Sequence, residues 1–335
     1  LSRTLSAEKL IIATGARPRV LPGAPFDGER VLSPYDALAL SSLPSSMVII
    51  GGGAIGVEFA YFYSVLGTRV TILEMLGHLL PIEDEEISAE LERSFRKRKI
   101  TVKTGTRVEG IESHGAGVRV RVSGRNGEET IEADVALTAI GVRGNIEGIG
   151  LEGTPVRTRD GFITVDRAYR TDHPRVYAIG DVIGPPWLAH VASAEAVACV
   201  ETMTGHREAV VDYDNIPGCT YCTPQVASVG LTEKQARERG YEVRIGKFPF
   251  TASGKAVAAG HTEGFVKLVF DAGSDRLLGA HIIGDGATEL IAEAALARSL
   301  GATARDVIRT VHAHPTLSEA LMEASAAAHG ESVNL

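Results

Sequence analysis

One segment near residue 50 constrains the fold more than any other part of this chain of 335 residues. The apolar run Met47–Ile50 is followed by the letters GGGAIG and then by a stretch of helical character, about Ile55–Leu66. A buried strand, a tight glycine turn and a helix in this order are typical of a βαβ unit. Gly51 permits the tight turn, Gly53 lets a ligand approach the backbone, and Gly56 lets the helix and the sheet pack closely.

The same segment predicts a dinucleotide site, because the start of its helix presents free N–H groups and a partial positive charge to phosphates. Glu74 directly follows the next predicted strand, Val70–Leu73, and lies eighteen positions after Gly56 (74 − 56 = 18). A carboxylate at this place can bind both ribose hydroxyls and would repel a 2′-phosphate. No arginine follows it, since Met75 and Leu76 come next. The sequence therefore favours NAD over NADP.

The rest of the chain predicts further domains. Its length exceeds what one ordinary core supports, so we expect two or three domains. An amphipathic helix is predicted over Asp84–Lys99, and alternation of apolar and polar residues predicts a β-meander between about Thr101 and Ile140. Beyond about Tyr213, strands come first and helices follow, for example a strand over Tyr221–Gly230. This grouping is typical of a separate α+β domain.

Charge and cysteine usage exclude some classes of partner and compartment. The net charge of −8 argues against a general affinity for nucleic acid or anionic membranes. The basic residues of Arg93–Lys99 are expected to be a solvated helix end. No apolar run reaches the 18 residues of a transmembrane helix, and the first residues do not form a signal peptide. Three cysteines are few and odd in number, which favours a cytoplasmic location.

Five segments in order, IIATGARPRVLPG, GGGAIGVEFA, VYAIGDV, FPFTASGKA and HAHPTLSEA, resemble the FAD- and NAD-dependent disulfide reductases. The resemblance is closest to the dihydrolipoamide dehydrogenase family and runs from about Lys9 to the C-terminus. It implies an α/β and α+β fold, in which a Rossmann-like NAD-binding domain is inserted in a partial FAD-binding domain. The implied domains are residues 1–44 and 146–212 for FAD, 45–145 for NAD, and 213–335 for dimerisation.

The resemblance also implies which residues touch the two cofactors. No metal site is expected. An acid at the end of a strand, such as Asp181, can in addition accept hydrogen bonds from a polyol chain. The implied NAD contacts are Gly51, Gly53, Ala54, Ile55, Gly56, Glu58, Glu74, Val108 and Gly141. The implied FAD contacts are Ala13, Thr14, Gly15, Asp181 and Ala189.

The C-terminal region contains a candidate acid–base pair. In the family resemblance His314 matches the catalytic base and Glu319 its orienting carboxylate, whereas His312 is expected to be structural or to lie at an interface. Oxidation of a dithiol needs a group that removes the thiol proton near neutral pH. Imidazole is suited to this role, and a carboxylate fixes its tautomer. The base is implied to serve the partner subunit of a homodimer.

The implied reaction is oxidation of protein-bound dihydrolipoamide through a disulfide and FAD, with reduction of NAD. The implied partners are the lipoyl-bearing acyltransferase core of a 2-oxo acid dehydrogenase complex or the carrier protein of glycine cleavage. Glutathione reductases carry basic residues where Glu74 stands, mercuric reductases end in a cysteine pair, and soluble transhydrogenases lack the histidine at position 314.

Residues 1–335 do not match the family's first part, which holds the FAD G-x-G-x-x-G turn and the redox C-x-x-x-x-C disulfide. Cys199, Cys219 and Cys222 do not match that pair, and Cys219 and Cys222 lack the partners of a zinc site. We therefore expect these residues alone to be inactive. They are expected to be a fragment of a complete enzyme, one half of a two-chain enzyme, or a catalytically inactive NAD-binding dimeric scaffold. Another FAD-dependent disulfide reductase is the remaining alternative.

Overall fold

A computed structural model describes residues 4–125, 127–206 and 210–335 of the chain. They form two compact units. One unit consists of the residues up to Arg19 together with Gly141–Tyr213, and the other of Val20–Ile140 together with Asp214–Leu335. The first unit is thus interrupted in sequence by part of the second, and the predicted mixture of α/β and α+β architecture is confirmed. The division at residues 44/45, 145/146 and 212/213 stays a prediction.

The strands and helices are numbered here in chain order. The strands are β1 (Leu10–Ile12), β2 (Ala16–Pro18), β3 (Val31–Leu32), β4 (Ser46–Ile50), β5 (Arg69–Leu73), β6 (Thr101–Lys103), β7 (Arg107–His114), β8 (Gly117–Gly124), β9 (Gly127–Ala133), β10 (Val135–Thr138), β11 (Val142–Gly144), β12 (Thr158–Arg159), β13 (Phe162–Ile163), β14 (Val176–Ala178), β15 (Gly218–Thr220), β16 (Gln225–Gly230), β17 (Val243–Pro249), β18 (Phe265–Asp271) and β19 (Leu277–Gly284). The helices are α1 (Pro34–Leu38), α2 (Ala54–Val65), α3 (Glu85–Lys97), α4 (Ala189–Met203), α5 (Glu233–Glu238), α6 (Gly254–Ala259), α7 (Ala287–Ser299), α8 (Ala304–Arg309) and α9 (Glu319–Ala327).

Five parallel strands form the sheet that carries the glycine turn, in the order β3-β10-β4-β5-β6. Every residue of β4 is buried, as expected for a parallel strand that is covered on both faces. The register pairs Ile50 with Leu73, the last residues of β4 and β5. The glycine turn after β4 and Glu74 after β5 therefore lie at the same edge of the sheet.

Helix α3 shows why the amphipathic pattern of its sequence predicted it well. Asp84 is its N-cap and accepts a hydrogen bond from the backbone N–H of Glu86. Ile87, Leu91 and Phe95 recur at helical spacing and are fully buried. The basic residues of its last turn complement the C-terminal end of the helix dipole. The predicted start and end of the helix are correct to within two residues.

The C-terminal part of the longer unit is an antiparallel sheet in the order β15-β16-β19-β18-β17, with α7 and α9 packed on it. The predicted strand over Tyr221–Gly230 is wrong in its first half. The strand β16 begins only at Gln225, because Pro224 has no N–H to give to a ladder. Helices α5, α6 and α9 were not predicted, and α5 and α6 are interspersed among the strands.

The parallel and antiparallel sheets belong to one unit and are joined by a buried cation. The side chain of Lys267 on β18 is 3% exposed, and its Nζ lies 3.0 Å from Asp84, 2.8 Å from Glu86 and 2.9 Å from Glu233. Burial alone lowers a lysine pKa, but the hydrogen bonds to Glu86, Glu233 and Asp84 outweigh it and raise the pKa of Lys267. The N-terminal end of α3 is thereby fixed to the antiparallel sheet.

In the other unit, β1 and β14 run parallel, and Ile12 pairs with Ala178 at their ends. The segments that follow these two strands therefore leave the same edge. A short antiparallel pair, β2 with β11, places Gly144 opposite Ala16. Helix α4 follows the turn after β14 and contacts it. This arrangement brings the predicted FAD segments of the unit together.

Candidate active site

The three motif positions in the turn after β4 are occupied by glycine for different structural reasons. Gly51 has φ of +107°, and a Cβ there would lie 2.3 Å from the carbonyl oxygen of Ala139. At Gly56 a Cβ would lie 1.9 Å from the carbonyl oxygen of Gly51. At Gly53, in contrast, a Cβ would meet nothing within 4 Å. Gly51 and Gly56 are thus required by packing, whereas Gly53 leaves the open space that a pyrophosphate needs.

Glu74 directly follows the neighbouring strand β5, and its side chain binds the backbone of this turn. It is 7% exposed, its Oε2 accepts a 2.6 Å hydrogen bond from the N–H of Gly52, and its Oε1 accepts one of 2.7 Å from Leu76. Each carboxylate oxygen can accept a second hydrogen bond, so capacity for ribose hydroxyls remains. The open space at Gly53, the free N-terminal end of α2 and this carboxylate together fit a dinucleotide.

The other predicted NAD residues are more dispersed. Ala54 and Ile55 begin α2 directly after the turn. The side chain of Glu58, however, accepts a hydrogen bond from the N–H of Tyr221, and burial raises its pKa. Val108 is half-buried beside a β-bulge of β7. Gly141 has φ of +94° and belongs to the other compact unit.

The predicted FAD segments of the other unit are tied together by backbone and side-chain bonds. The hydroxyl of Thr14 donates to the carbonyl oxygen of Asn145 at 2.7 Å, and the Asn145 amide donates back to that of Thr14 at 2.9 Å. Gly15 has φ of +69°, with open space where a Cβ would stand. Ala13 is exposed before it. Asn145, which the sequence did not identify as a site residue, therefore holds the turn after β1.

Asp181 lies on the turn after β14 and is half-buried. Burial raises the pKa of its carboxyl group. Among the residues that the structure describes, no side chain or backbone N–H is seen to donate to this carboxylate. A partly desolvated acceptor of this kind fits the hydroxyl groups of a ribityl chain. Ala189 is the exposed first residue of α4.

His314 and Glu319 form a hydrogen-bonded pair, as the motif predicts. The imidazole Nδ1 lies 2.9 Å from Glu319 Oε1, and the Thr316 N–H donates to Oε2 at 2.9 Å. These bonds, that from Thr316 first, lower the pKa of Glu319, so its carboxylate is an acceptor. In the neutral imidazole, Nδ1 therefore carries the proton and Nε2 has the lone pair. The histidine side chain is 77% exposed and open to a substrate.

His312 has a different environment. Its side chain is 4% exposed, Nε2 lies 2.8 Å from Glu293 Oε1, and Nδ1 lies 2.9 Å from the carbonyl oxygen of Thr310. Both ring nitrogens of His312 thus have hydrogen-bond partners within the domain. The structure separates two histidines that stand two positions apart in the sequence: His314 faces outward and His312 is built into the domain.

The three cysteines lack the features of a reactive pair. Burial raises the pKa of Cys222 to about 12 and also raises those of Cys219 and Cys199. A nucleophilic thiol needs a lowered pKa. In the described part of the chain, no group of three or more histidine, cysteine or acidic residues could hold a metal ion. Nor is any described helix long and apolar enough to cross a membrane.

Sequence reasoning missed one polar group near Asp181. Glu195, inside the alanine-rich helix α4, is buried and accepts hydrogen bonds from Gly180 and Tyr213. The only signal for it was an acid on the apolar side of a helix.

Comparisons with known proteins cover nearly the whole chain. A family model described as pyridine nucleotide-disulphide oxidoreductase matches residues 2–196, and the model of the dimerisation domain of that group matches residues 216–325. A dihydrolipoyl dehydrogenase of Chlorobaculum tepidum is 48% identical over 96% of this chain and 69% of its own length. One of Bacillus subtilis is 44% identical over 98% of this chain and 70% of its own length.

Among solved structures, LpdA of Mycobacterium tuberculosis is similar, with a TM-score of 0.88 and 31% identity. The match covers 95% of this chain and 69% of that one.

Proposed function

We propose that this chain, which belongs to the pyridine nucleotide-disulphide oxidoreductase family, acts as a dihydrolipoyl dehydrogenase. In this reaction protein-bound dihydrolipoamide is oxidised and NAD is reduced. The observation that carries the proposal is the exposed imidazole of His314, held by Glu319. Relatives named for this activity are 41–48% identical over nearly the whole chain.

The proposed cofactor contacts follow from the geometry of each turn. Gly51–Gly56 and Glu74 hold NAD, and Thr14, Gly15 and Asp181 hold FAD. The flavin and the nicotinamide, when bound, supply electron and hydride transfer between a disulfide and NAD. The chain's own contribution is alignment: open backbone at Gly53 for the pyrophosphate, and acceptors at Glu74 and Asp181 for hydroxyl groups.

His314 is proposed as the general base. Its Nε2 accepts the proton of a dihydrolipoamide thiol, so that the thiolate can attack the enzyme disulfide. Glu319 holds the Nδ1 proton and stabilises the imidazolium that forms. The raised pKa values of Cys199, Cys219 and Cys222 argue against these thiols as the redox pair.

The proposed assembly is a homodimer in which His314 serves the partner subunit. The match to the dimerisation domain supports the dimer. We propose as substrates the lipoyl groups of an acyltransferase core in a 2-oxo acid dehydrogenase complex, or of a glycine cleavage carrier. The chain has three free cysteines, which fits the reducing cytoplasm that we propose as its location.

The test is His314→Gln in the complete enzyme. We expect dihydrolipoamide oxidation to fall about 10²–10⁴-fold, as for loss of a general base. Flavin content and reduction of the bound flavin by NADH should be unchanged, because neither needs the thiol proton to move. The matched control is His261→Gln: His261 is 62% exposed and also pairs with a carboxylate, Asp285, at 2.9 Å.

Three outcomes would refute the proposal. The first is full lipoamide turnover in His314→Gln, and the second is an equal loss in the His261→Gln control. The third is a colourless complete protein that binds NAD without turnover, which would instead support the scaffold alternative. The absorbance of bound flavin distinguishes this last case directly.

A further inference from the structure

A buried carboxylate lies behind the Gly180–Asp181 turn and has no assigned role. Glu195 is 3% exposed within α4. Its Oε2 accepts a 2.6 Å hydrogen bond from the backbone N–H of Gly180, and its Oε1 accepts one of 2.6 Å from the hydroxyl of Tyr213. A carboxylate is costly to bury unless its oxygens are hydrogen-bonded. Both oxygens of Glu195 meet that requirement.

The bond to Gly180 fixes the backbone directly before Asp181. Gly180 has φ of +71°, a conformation that side-chain-bearing residues rarely adopt, and a Cβ there would lie 3.3 Å from the Cβ of Ala192 on α4. The turn is therefore close to the helix and is tied to it by Glu195. Since the Asp181 carboxylate has no donor among the described residues, its position depends on this backbone.

Tyr213 in turn fixes Glu195. Burial, followed by the hydrogen bonds to Glu195 and Tyr169, raises the pKa of Tyr213, so its hydroxyl stays protonated and donates. The hydroxyl of Tyr213 also lies 3.5 Å from the hydroxyl of Tyr169. The carboxylate is thereby held between one backbone N–H and one phenol.

We propose that Glu195 is a positioning residue for FAD, which acts through Asp181 by holding the Gly180–Asp181 turn on helix α4. This inference rests on the proposed function, in which Asp181 accepts hydrogen bonds from the ribityl chain. Glu195 itself does not touch the cofactor. Tyr213 in turn holds the Glu195 carboxylate through its hydroxyl group.

The test measures FAD affinity of the complete enzyme after removal and return of the flavin, by quenching of flavin fluorescence. The variants are Glu195→Ala, Asp181→Ala and the double variant. Glu195→Ala should weaken FAD binding about tenfold or more, because the Gly180 N–H loses its acceptor. If Glu195 acts through Asp181, the double variant should bind no more weakly than Asp181→Ala alone.

Further variants separate positioning from general stability. Glu195→Gln keeps one carbonyl acceptor, so it should restore part of the affinity lost in Glu195→Ala, and Tyr213→Phe should cost severalfold. Cys199→Ala is the matched control, because Cys199 is fully buried on the same helix and has no hydrogen bond to the turn. It should lower the unfolding temperature without changing FAD affinity. Without flavin, Glu195→Ala should speed hydrogen exchange of the Gly180 amide.

The outcomes distinguish the two levels of the argument. If Asp181→Ala weakens FAD binding but Glu195→Ala does not, the positioning role is wrong and the proposed function stands. If the two losses add in the double variant, Glu195 acts through stability and the inference is again wrong. If Asp181→Ala leaves FAD affinity intact, the flavin assignment of Asp181 fails, and the inference fails with it. If Glu195→Ala does not fold, Glu195→Gln replaces it, alone and combined with Asp181→Ala, and the same comparison of FAD affinities tests the positioning role.

Discussion

Gly53 and Gly56 belong to one motif but differ in why another residue cannot replace them, and substitution by alanine can measure this difference. Gly53 has φ of −74° and open space around a Cβ, so alanine fits the fold there. Gly56 has no such space, because a Cβ would overlap the carbonyl oxygen of Gly51. In our proposal NAD binding constrains the first position, whereas packing constrains the second.

We therefore expect Gly53→Ala and Gly56→Ala to fail in different ways. Gly53→Ala should keep the free energy of unfolding within about 0.5 kcal/mol of the parent but lose at least tenfold in NAD affinity. Gly56→Ala should unfold at a markedly lower temperature, since backbone must move. Calorimetry and NAD titration of both variants test this. Normal NAD binding by Gly53→Ala would contradict the placement of the pyrophosphate.

Glu74 serves the turn and, in our proposal, the ribose. Glu74→Gln leaves one of two backbone N–H groups, those of Gly52 and Leu76, without its acceptor. It also removes the charge that repels a 2′-phosphate. We expect the preference for NAD over NADP to fall about tenfold, with a loss of about 1–2 kcal/mol in stability. The ratio of the two kcat/KM values is the measurement, and an unchanged ratio would remove Glu74 from cofactor selection.

Among the elements, those with a strong local period were predictable. The buried run of β4 and the spacing of Ile87, Leu91 and Phe95 in α3 predicted each element within about two residues. The start of β16 was not predictable from apolar content alone, because the backbone bends at Cys222–Pro224. Helices α5 and α6 have six residues each, too few for a period to show.

Long-range polar contacts were also beyond sequence reasoning. Lys267 and Asp84 are 183 positions apart, and nothing local in either segment indicates the other. The same holds for Glu195 and Gly180, whose pairing depends on how α4 packs. In the site, by contrast, His314 and Glu319 are five positions apart, and their contact was predicted from the motif.

The segment before α3 contains a buried acid that makes stability depend on pH. Burial, opposed by a hydrogen bond from Ser228 and assisted by the charge of Asp84, raises the pKa of Glu83 to about 7 from its ordinary 4.5. The folded protein thus binds more protons than the unfolded chain between these values. The stabilisation is complete below pH 4.5 and is lost as pH rises through 7.

Glu83→Gln should remove this dependence, because an amide of the same shape does not ionise. Relative to the parent, the variant should gain about 3 kcal/mol between pH 4.5 and pH 8.5, as an upper limit. Denaturant unfolding at several pH values measures the difference. Glu85→Gln is the control, since Glu85 is the exposed neighbour with only a 3.5 Å pair to Lys234. A constant difference between parent and Glu83→Gln would show that folding does not raise the pKa of Glu83.

At the scale of the whole molecule, the nucleotide turn and the His314–Glu319 pair belong to one compact unit, whereas Asp181 belongs to the other. The order of the motifs predicts the order of the domains, and the limits of these domains stay a prediction. In the structure β3, which lies within residues 20–44, pairs with β10 in the parallel sheet that carries the glycine turn.

The proposed dimer can be tested at two exposed leucines of the C-terminal region. Leu296 on α7 and Leu300 at its end are 61% and 76% exposed in a region that matches a dimerisation domain. Large exposed apolar side chains in such a region are typical of an interface between subunits. If His314 serves the active site of the partner subunit, a separated subunit has no base at its own active site.

We therefore expect the double variant Leu296→Glu and Leu300→Glu to be monomeric in sedimentation velocity. It should lose dihydrolipoamide oxidation at least 100-fold and yet bind NAD with unchanged affinity, because Gly51–Glu74 lies within one chain. Leu38→Glu, at an exposed leucine outside the dimerisation match, should stay dimeric and active. A monomeric double variant that still oxidises dihydrolipoamide would show that His314 acts within its own subunit, and a dimeric one would move the interface away from α7.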